Sequence, residues 1–430
     1  MVERAVEEPD RVPDQSPALA DAHADGIEPV APGSGAADQP ILFLHIPKTA
    51  GTSFFTTLQN VFGEAQVLPL AEETPELATR IAAVADGEGG QVACIYGHLP
   101  VHRFAGRLGQ FRPFTILRHP IARVFSLFRF QRLNPNIEQF GLRRNFSFEE
   151  FLAAEASPIR SQVSNGMCRV LAGDASFSDP ARSAYSEIDR HPEVIGQALD
   201  LLKRIDFGLA EDMPGTHRII QHRWSIPFAL DEMVLNTTDR DGADADWRHV
   251  HAVVERNRLD IALYERAAAI FRDRLTHLSS APRAPASSAV HMVFRPVIGQ
   301  WSRLPQVPGR QGFHGWEASG IAWINEGPTA RMHFLAPAPS ARIALRVFGI
   351  GESYPFDRVE LRLGDRPLPF RISEVVGPWC TLESRLIGLP EGINTLSIVS
   401  PVFIPVRDID PGSVDRRKLG IAVAAIAFLD

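Results

Sequence analysis

The spacing of apolar and polar positions divides the chain into two unlike halves. As far as about residue 278, short apolar runs alternate with helical stripes. Residues 41–46 (ILFLHI) form an apolar run suited to a buried parallel strand. In 52–62, Phe54, Phe55, Leu58, Val61 and Phe62 recur on one helical face. Further apolar runs at 92–96, 114–117 and 206–209 predict three more strands. Helices are predicted over 72–85, 121–130, 194–205, about 215–224 and, as one long element, 248–275. Ser147 and Glu150 form a capping-box pattern opening a helix over 148–155. Strands alternating with helices predict an α/β three-layer domain around a parallel sheet.

From about residue 290 the period falls to two. Ile343, Leu345 and Val347 alternate with polar residues, as do Val359, Leu361 and Leu363, and Leu396 and Ile398; the chain closes on the apolar run LGIAVAAIAFL. With Gly and Pro at short intervals, this predicts an all-β sandwich. Residues 279–289 (SSAPRAPASSA) lack periodicity and read as a linker. Residues 1–39, rich in Ala, Asp, Glu, Pro and Gly, read as a disordered tail. The expected organisation is therefore a tail (1–39), an α/β domain (40–278), a linker (279–289) and a sandwich (290–430).

Composition narrows the function classes. The chain has 430 residues, 45% hydrophobic and 22% charged, with a net charge of −7 and a pI near 6.1. That balance argues against a general nucleic-acid binder, so a site for a polyanion has to be a local basic patch. Cys94, Cys168 and Cys380 are odd in number and lie in apolar contexts. They are expected to be reduced, buried thiols, and no metal-ligand spacing stands out. No secretory signal and no run of about 18 apolar residues is visible.

The chemistry starts where the first strand meets the first helix. A strand, a short loop and a helix N-terminus converge free N–H groups on one point and favour an anion there. Lys48 adds charge; Thr49, Thr52 and Ser53 add hydroxyls. In the common nucleotide-triphosphate loop, G-x-x-x-x-G-K-[ST], the lysine directly precedes the helix. Here Lys48 precedes Gly51 and no upstream glycine is in register. The order P-K-T-A-G-T-S instead resembles the 5′-phosphosulfate loop of sulfotransferases, and the nine residues His45 to Ser53 resemble the carbohydrate branch with the heparan-sulfate and uronyl 2-O-sulfotransferases. That resemblance implies a P-loop-like domain using 3′-phosphoadenosine 5′-phosphosulfate (PAPS), with Lys48 catalytic and Lys48, Thr49, Ala50, Gly51, Thr52 and Ser53 around the 5′-phosphosulfate.

Two later segments extend it. The strand 92–96 ends in Gly97 and His98, where open parallel sheets bind ligands. YGHLPVHRF resembles the family's G-H-x-P segment, which implies that His98 is the catalytic base. A neutral imidazole suits a weakly nucleophilic sugar hydroxyl, at roughly 10²- to 10⁴-fold in rate. His45 is expected to pack beneath the loop, and His102 to be a surface residue. FTILRHPIARVFSLF resembles the 3′-phosphate segment L-R-[DN]-P-x-x-R-x-x-S, which implies Arg118 and Ser126 at the 3′-phosphate, with Arg123 as the intervening arginine and His119 departing from the usual Asp or Asn. Arginine offers forked donors to that phosphate.

Other matches are looser. Asn165, Arg169 and Leu171 resemble N-x-Q-x-R-x-L, with Arg169 either a ligand contact or an exposed helix residue; Glu211 either supports His98 or Lys48 or caps a helix; Asn236 to Thr238 resembles L-N-x-T in a loop. The sandwich resembles modules appended to bacterial carbohydrate-modifying enzymes. Trp301, Trp316, Trp323 and Trp379 are candidates to stack on sugars, against a structural or oligomerisation role. The expectation is a cytoplasmic, bacterial, metal-independent enzyme moving a sulfuryl group from PAPS to a hydroxyl of a saccharide or glycoconjugate, without nucleic acid. A nucleotide kinase or NTPase, and a non-catalytic glycan-binding protein, are the alternatives.

Overall fold

In the computed structural model the described residues are 39–71, 74, 76–88, 90, 92–173, 193–224, 226, 230, 247–278, 292–314, 321–324, 329–350, 354–409 and 417–430. The expected tail apart from Gln39, the linker, Asn236 to Thr238 and Trp316 lie outside them. The first half is a parallel α/β unit. Strands β1 (Ile41–Leu44), β2 (Val67–Pro69), β3 (Cys94–Gly97), β4 (Arg112–Leu117) and β5 (Asp206–Leu209) form one sheet in the order β2-β3-β1-β4-β5. Every pairing in it is parallel. β2 is an addition to the predicted strands: three residues on the sheet edge are too few to show a period.

Helices α1 (Gly51–Phe62), α2 (Leu77–Ala85), α3 (Pro120–Gln131), α4 (Phe148–Leu152), α5 (Ser157–Val163), α6 (Gly166–Ala172), α7 (Glu193–Arg204), α8 (Met213–Arg223), α9 (Trp247–Arg256) and α10 (Arg258–Leu278) connect and flank these strands. One apolar cluster joins β1, α1 and β4 through Phe43, Phe54, Leu58 and Phe114; another joins β1, β3, α7 and α10 through Leu42, Ile95, Leu202 and Leu263. The three cysteines are buried and unpaired. Among the described residues no helix is long and apolar enough to cross a membrane.

The long helix predicted over 248–275 is two helices, broken at Asn257. Asn257 is fully buried, its Nδ2 donates to Val163 O and Val253 O, and its Oδ1 accepts the Asn165 N–H. Asn165 Oδ1 in turn accepts the N–H groups of Leu259 and Asp260 at the start of α10. Asp260 accepts those of Met167 and Cys168 at the start of α6. Each helix thus caps the other, satisfying donors that a helix start leaves open. The capping box at Ser147 and Glu150 is present, but α4 ends at Leu152.

The paired strands of the second half are antiparallel. One sheet runs Phe370–Val376, Trp379–Ser384, Ser340–Phe348, Ala422–Leu429, Trp301–Arg303; the other runs Arg366–Pro367, Glu360–Leu363, Ile393–Val399, Ala330–Leu335, Arg310–Gln311. Their facing residues, among them Ile343, Leu345, Leu396, Ile398 and Phe428, fill one core, as the period-two pattern requires. Of the candidate sugar platforms, Trp301 is 48% exposed on an edge strand, Trp379 is half-buried against Phe348, and Trp323 is buried and offers no face to solvent.

Candidate functional site

Register brings the candidate residues to one edge of the sheet. Leu44, the last residue of the central strand β1, stands level with Gly97 of β3 and Thr115 of β4. The segments that follow, 45–51 after β1, His98 after β3 and Arg118 after β4, therefore leave the sheet at the same carboxyl edge, where parallel sheets place their ligands.

The loop after β1 adopts an unusual path. Lys48 and Ala50 both have positive φ, 69° and 68°, without being glycine. Such conformations cost about 1–3 kcal/mol each and persist where surroundings impose them. Here Thr49 Oγ1 donates to Ile46 O at 2.8 Å, and Arg118 NH1 donates to Lys48 O at 3.2 Å. Alternating backbone of this kind turns successive N–H groups toward one concavity, an anion nest. Thr49 is wholly buried and its hydroxyl is committed inside the loop, so toward an anion it has only its backbone N–H. Thr52 is exposed, and Ser53 is buried in the first turn of α1.

Gly51 is demanded by what lies below it. A Cβ there would come 1.7 Å from His45 Nε2. His45 does pack under the loop: it is 5% exposed, stacks on His98 with ring centroids 4.1 Å apart, and its Nδ1 is 2.7 Å from Tyr96 Oη. Burial, then His98 and Lys48, hold its imidazole well below the usual 6.5, so it is neutral.

His98 has a defined tautomer. Its Nδ1 lies 2.9 Å from His45 O. A carbonyl only accepts, so Nδ1 carries the proton and Nε2 of the neutral ring is left as an acceptor. By surface area His98 is exposed, yet the protein packed around it outweighs that opening. Loss of solvation pushes it below 6.5, Lys48 adds to the push, and the bond to His45 opposes it. The residue is thus neutral and base-competent at neutral pH.

Lys48 places its Nζ 4.3 Å from the ring centroid of Phe130, which is 51% exposed at the end of α3. Burial and then Arg118 lower the lysine's pKa. For Arg118 burial also lowers the pKa, opposed by Glu211. Glu211 accepts the N–H of His119 at 2.9 Å through Oε1 and the Tyr264 hydroxyl at 2.8 Å through Oε2. It therefore holds the start of α3 beside Arg118, and supports neither His98 nor Lys48; Asp212, which accepts the Gly215 N–H, caps α8.

Three other motif residues lie on or beside α3 and α6. Arg123 and Arg169, matched to motif arginines, are both fully buried. Arg123 NH2 donates to Gln162 O at 2.5 Å and lies 3.7 Å from Asp260 Oδ2, and Arg169 Nε donates to Ser164 O. Both serve the packing of α3, α5, α6 and α10, and Arg169 is not an exposed helix residue. Ser126 is 7% exposed on α3, and among the described residues no hydrogen bond joins it to Arg118. Sequence reasoning passed over Tyr96 and Phe130; the one signal for either was its position at an element end beside a motif residue.

The sequence profile described as the sulfotransferase family matches residues 36–265, which contain the loop, His98, Arg118 and Ser126. No curated protein matches the chain. Among solved structures, mouse sulfotransferase SULT7A1 complexed with PAP aligns at 15% identity and a TM-score of 0.30, covering 56% of this chain and 89% of that one. A Paenibacillus cycloisomaltooligosaccharide glucanotransferase complexed with cycloisomaltoheptaose aligns at 9% and 0.19, covering 91% and 57%. Likenesses so low bear on neither fold nor function. The profile spans more than half of the chain and the whole of the carboxyl edge just described, and by it this protein belongs to the sulfotransferase family.

Proposed function

We propose that the protein is a PAPS-dependent sulfotransferase acting on a hydroxyl of a saccharide or glycoconjugate. PAPS supplies the sulfuryl group. The nest at 48–51, with Thr52 and Ser53, holds the 5′-phosphosulfate, and Arg118 with Ser126 holds the 3′-phosphate. Lys48 stabilises charge developing on the bridging oxygen, and His98 Nε2 takes the acceptor's proton as the acceptor oxygen bonds to sulfur and the bond from sulfur to the 5′-phosphate oxygen breaks. Transfer is in line and needs no metal, with positioning and electrostatics supplying most of the rate. The division into an α/β domain (40–278) and a sandwich (290–430) belongs to this reading.

The observation that carries it is the His98 tautomer beside the positive-φ lysine loop. A base needs a free acceptor nitrogen, and a phosphosulfate needs a nest with a lysine. The experiment is transfer of labelled sulfuryl from PAPS to a panel of polysaccharides, glycosides and lipid-linked sugars. Transfer that disappears in Lys48→Ala and His98→Ala supports the proposal; full turnover in both variants refutes it.

A further inference from the structure

The helix that carries the loop is gripped at its far end by the antiparallel half of the chain. α1 stops at Phe62, and its last carbonyls have no partner within the helix. Val61 O accepts the N–H of Gly309 at 3.1 Å. Gln59 O accepts Arg310 NH2 at 3.0 Å as well as the Gly63 N–H at 2.9 Å. From the helix side, Asn60 Nδ2 donates to Phe313 O at 3.1 Å. Gly63, at φ 81°, comes so close that a Cβ would stand 2.7 Å from Gln306 O. Met292 joins the cluster of Phe54, Leu58, Val61 and Phe62.

Arg310 is the centre of this grip. It is 2% exposed, on the strand Arg310–Gln311. A cation at a helix C-terminus is favourable, most so when buried. Glu64, just beyond the helix, feels the same guanidinium: burial pushes its carboxyl up to about 7 while Arg310 pulls it down.

We propose that Arg310 is a positioning residue for donor binding: the antiparallel half clamps the C-terminal end of α1 and so sets where the loop at its N-terminal end stands. The proposal rests on the reading of that loop as the donor site. A 12-residue helix is a rod about 18 Å long. A tilt of about 5° at the clamped end moves the other by about 1.5 Å, and errors near 1 Å are enough to cost about 10²-fold in rate. The contacts are made to helix backbone, so they constrain the rod itself and not only a side chain upon it.

The test uses the full chain and adenosine 3′,5′-bisphosphate (PAP) as probe, titrated calorimetrically. Arg310→Met is expected to weaken PAP binding about tenfold, within the roughly 5- to 150-fold range of coupling between two sites, and Arg310→Lys to recover most of the loss. Ile343→Val, which trims the sandwich core away from α1, is expected to leave the affinity within about twofold. PAP is also expected to slow amide exchange across 304–314 in the wild type and not in Arg310→Met, a linkage that a role in stability alone does not create. If Arg310→Met does not fold, Asn60→Ala removes one clamp bond from the helix side and is read the same way. Wild-type affinity in Arg310→Met, or an equal loss in Ile343→Val, overturns the proposal. A wild type that does not bind PAP overturns the donor reading itself and this proposal with it, while a wild type that binds and a clamp variant that binds equally overturns only this one.

Discussion

Gly51→Ala tests the loop at its tightest point. The added methyl would sit 1.7 Å from His45 Nε2, less than half an ordinary contact, so the imidazole must move. His45 cannot move alone. It stacks on His98, is bonded to Tyr96, and its carbonyl holds His98 Nδ1. Overpacking of this sort costs about 1–3 kcal/mol in stability. The larger effect is on turnover, because a shift near 1 Å in His98 or the loop costs about 10²-fold in rate. Nothing in the backbone forbids the substitution, since Gly51 is not among the positive-φ glycines. The expected result is a thermal midpoint lower by several degrees, kcat down about 100-fold and PAP affinity down less than kcat. The assay is sulfuryl transfer from PAPS with the acceptor found in the panel, beside calorimetry with PAP. His45→Ala opens the space that the added methyl needs, so the double variant should bind PAP better than Gly51→Ala alone, a non-additivity expected only of groups in contact. Wild-type kcat in Gly51→Ala, or strict additivity in the double variant, would refute the steric reasoning.

Three further outcomes follow from the same geometry. The pH profile of kcat/KM should fall on the acid side with a midpoint below 6.5, because His98 works as the neutral ring and its pKa is depressed; a midpoint above 6.5 would contradict the assignment. Glu211→Ala should raise the KM for PAPS about tenfold or more while leaving the kcat of the saturated enzyme within a few-fold, since it frees the His119 N–H and removes a carboxylate from beside Arg118; steady-state kinetics reads the split. Asp260→Ala should destabilise the fold by about 3–5 kcal/mol in a denaturant titration, because Arg123 would be left buried without its counter-charge and the start of α6 uncapped.

What the sequence made legible was local. β1, the loop and α1 are contiguous, so apolar period, glycine position and lysine register all speak within one short stretch, Ile41 to Phe62. β3 with His98 and β4 with Arg118 were legible for the same reason, and the shift to period two announced the antiparallel sheets. What escaped was made by distant pairs. The break at Asn257 serves Asn165 and Val163, more than 90 residues away. Arg169 read as a ligand contact or an exposed arginine, and Arg123 only as a motif match, because nothing near them in sequence shows that α5, α6 and α10 pack around them. β2 is too short to carry a period, and Arg310 finds Gln59 across 251 positions. Sequence periodicity reports which face of an element is buried, not which distant backbone carbonyl lies opposite it.

The central claim is that the carboxyl edge around Lys48 is built for a nucleotide with a 3′-phosphate, and it can be measured without knowing the acceptor. PAP and adenosine 5′-monophosphate, which differ only in that phosphate, are titrated against the wild type and Arg118→Ala. The account predicts that the wild type binds PAP at least tenfold more tightly, as charge-assisted hydrogen bonds of about 1.5–3 kcal/mol imply, and that Arg118→Ala loses that preference. Equal affinity for the two nucleotides in the wild type would contradict it.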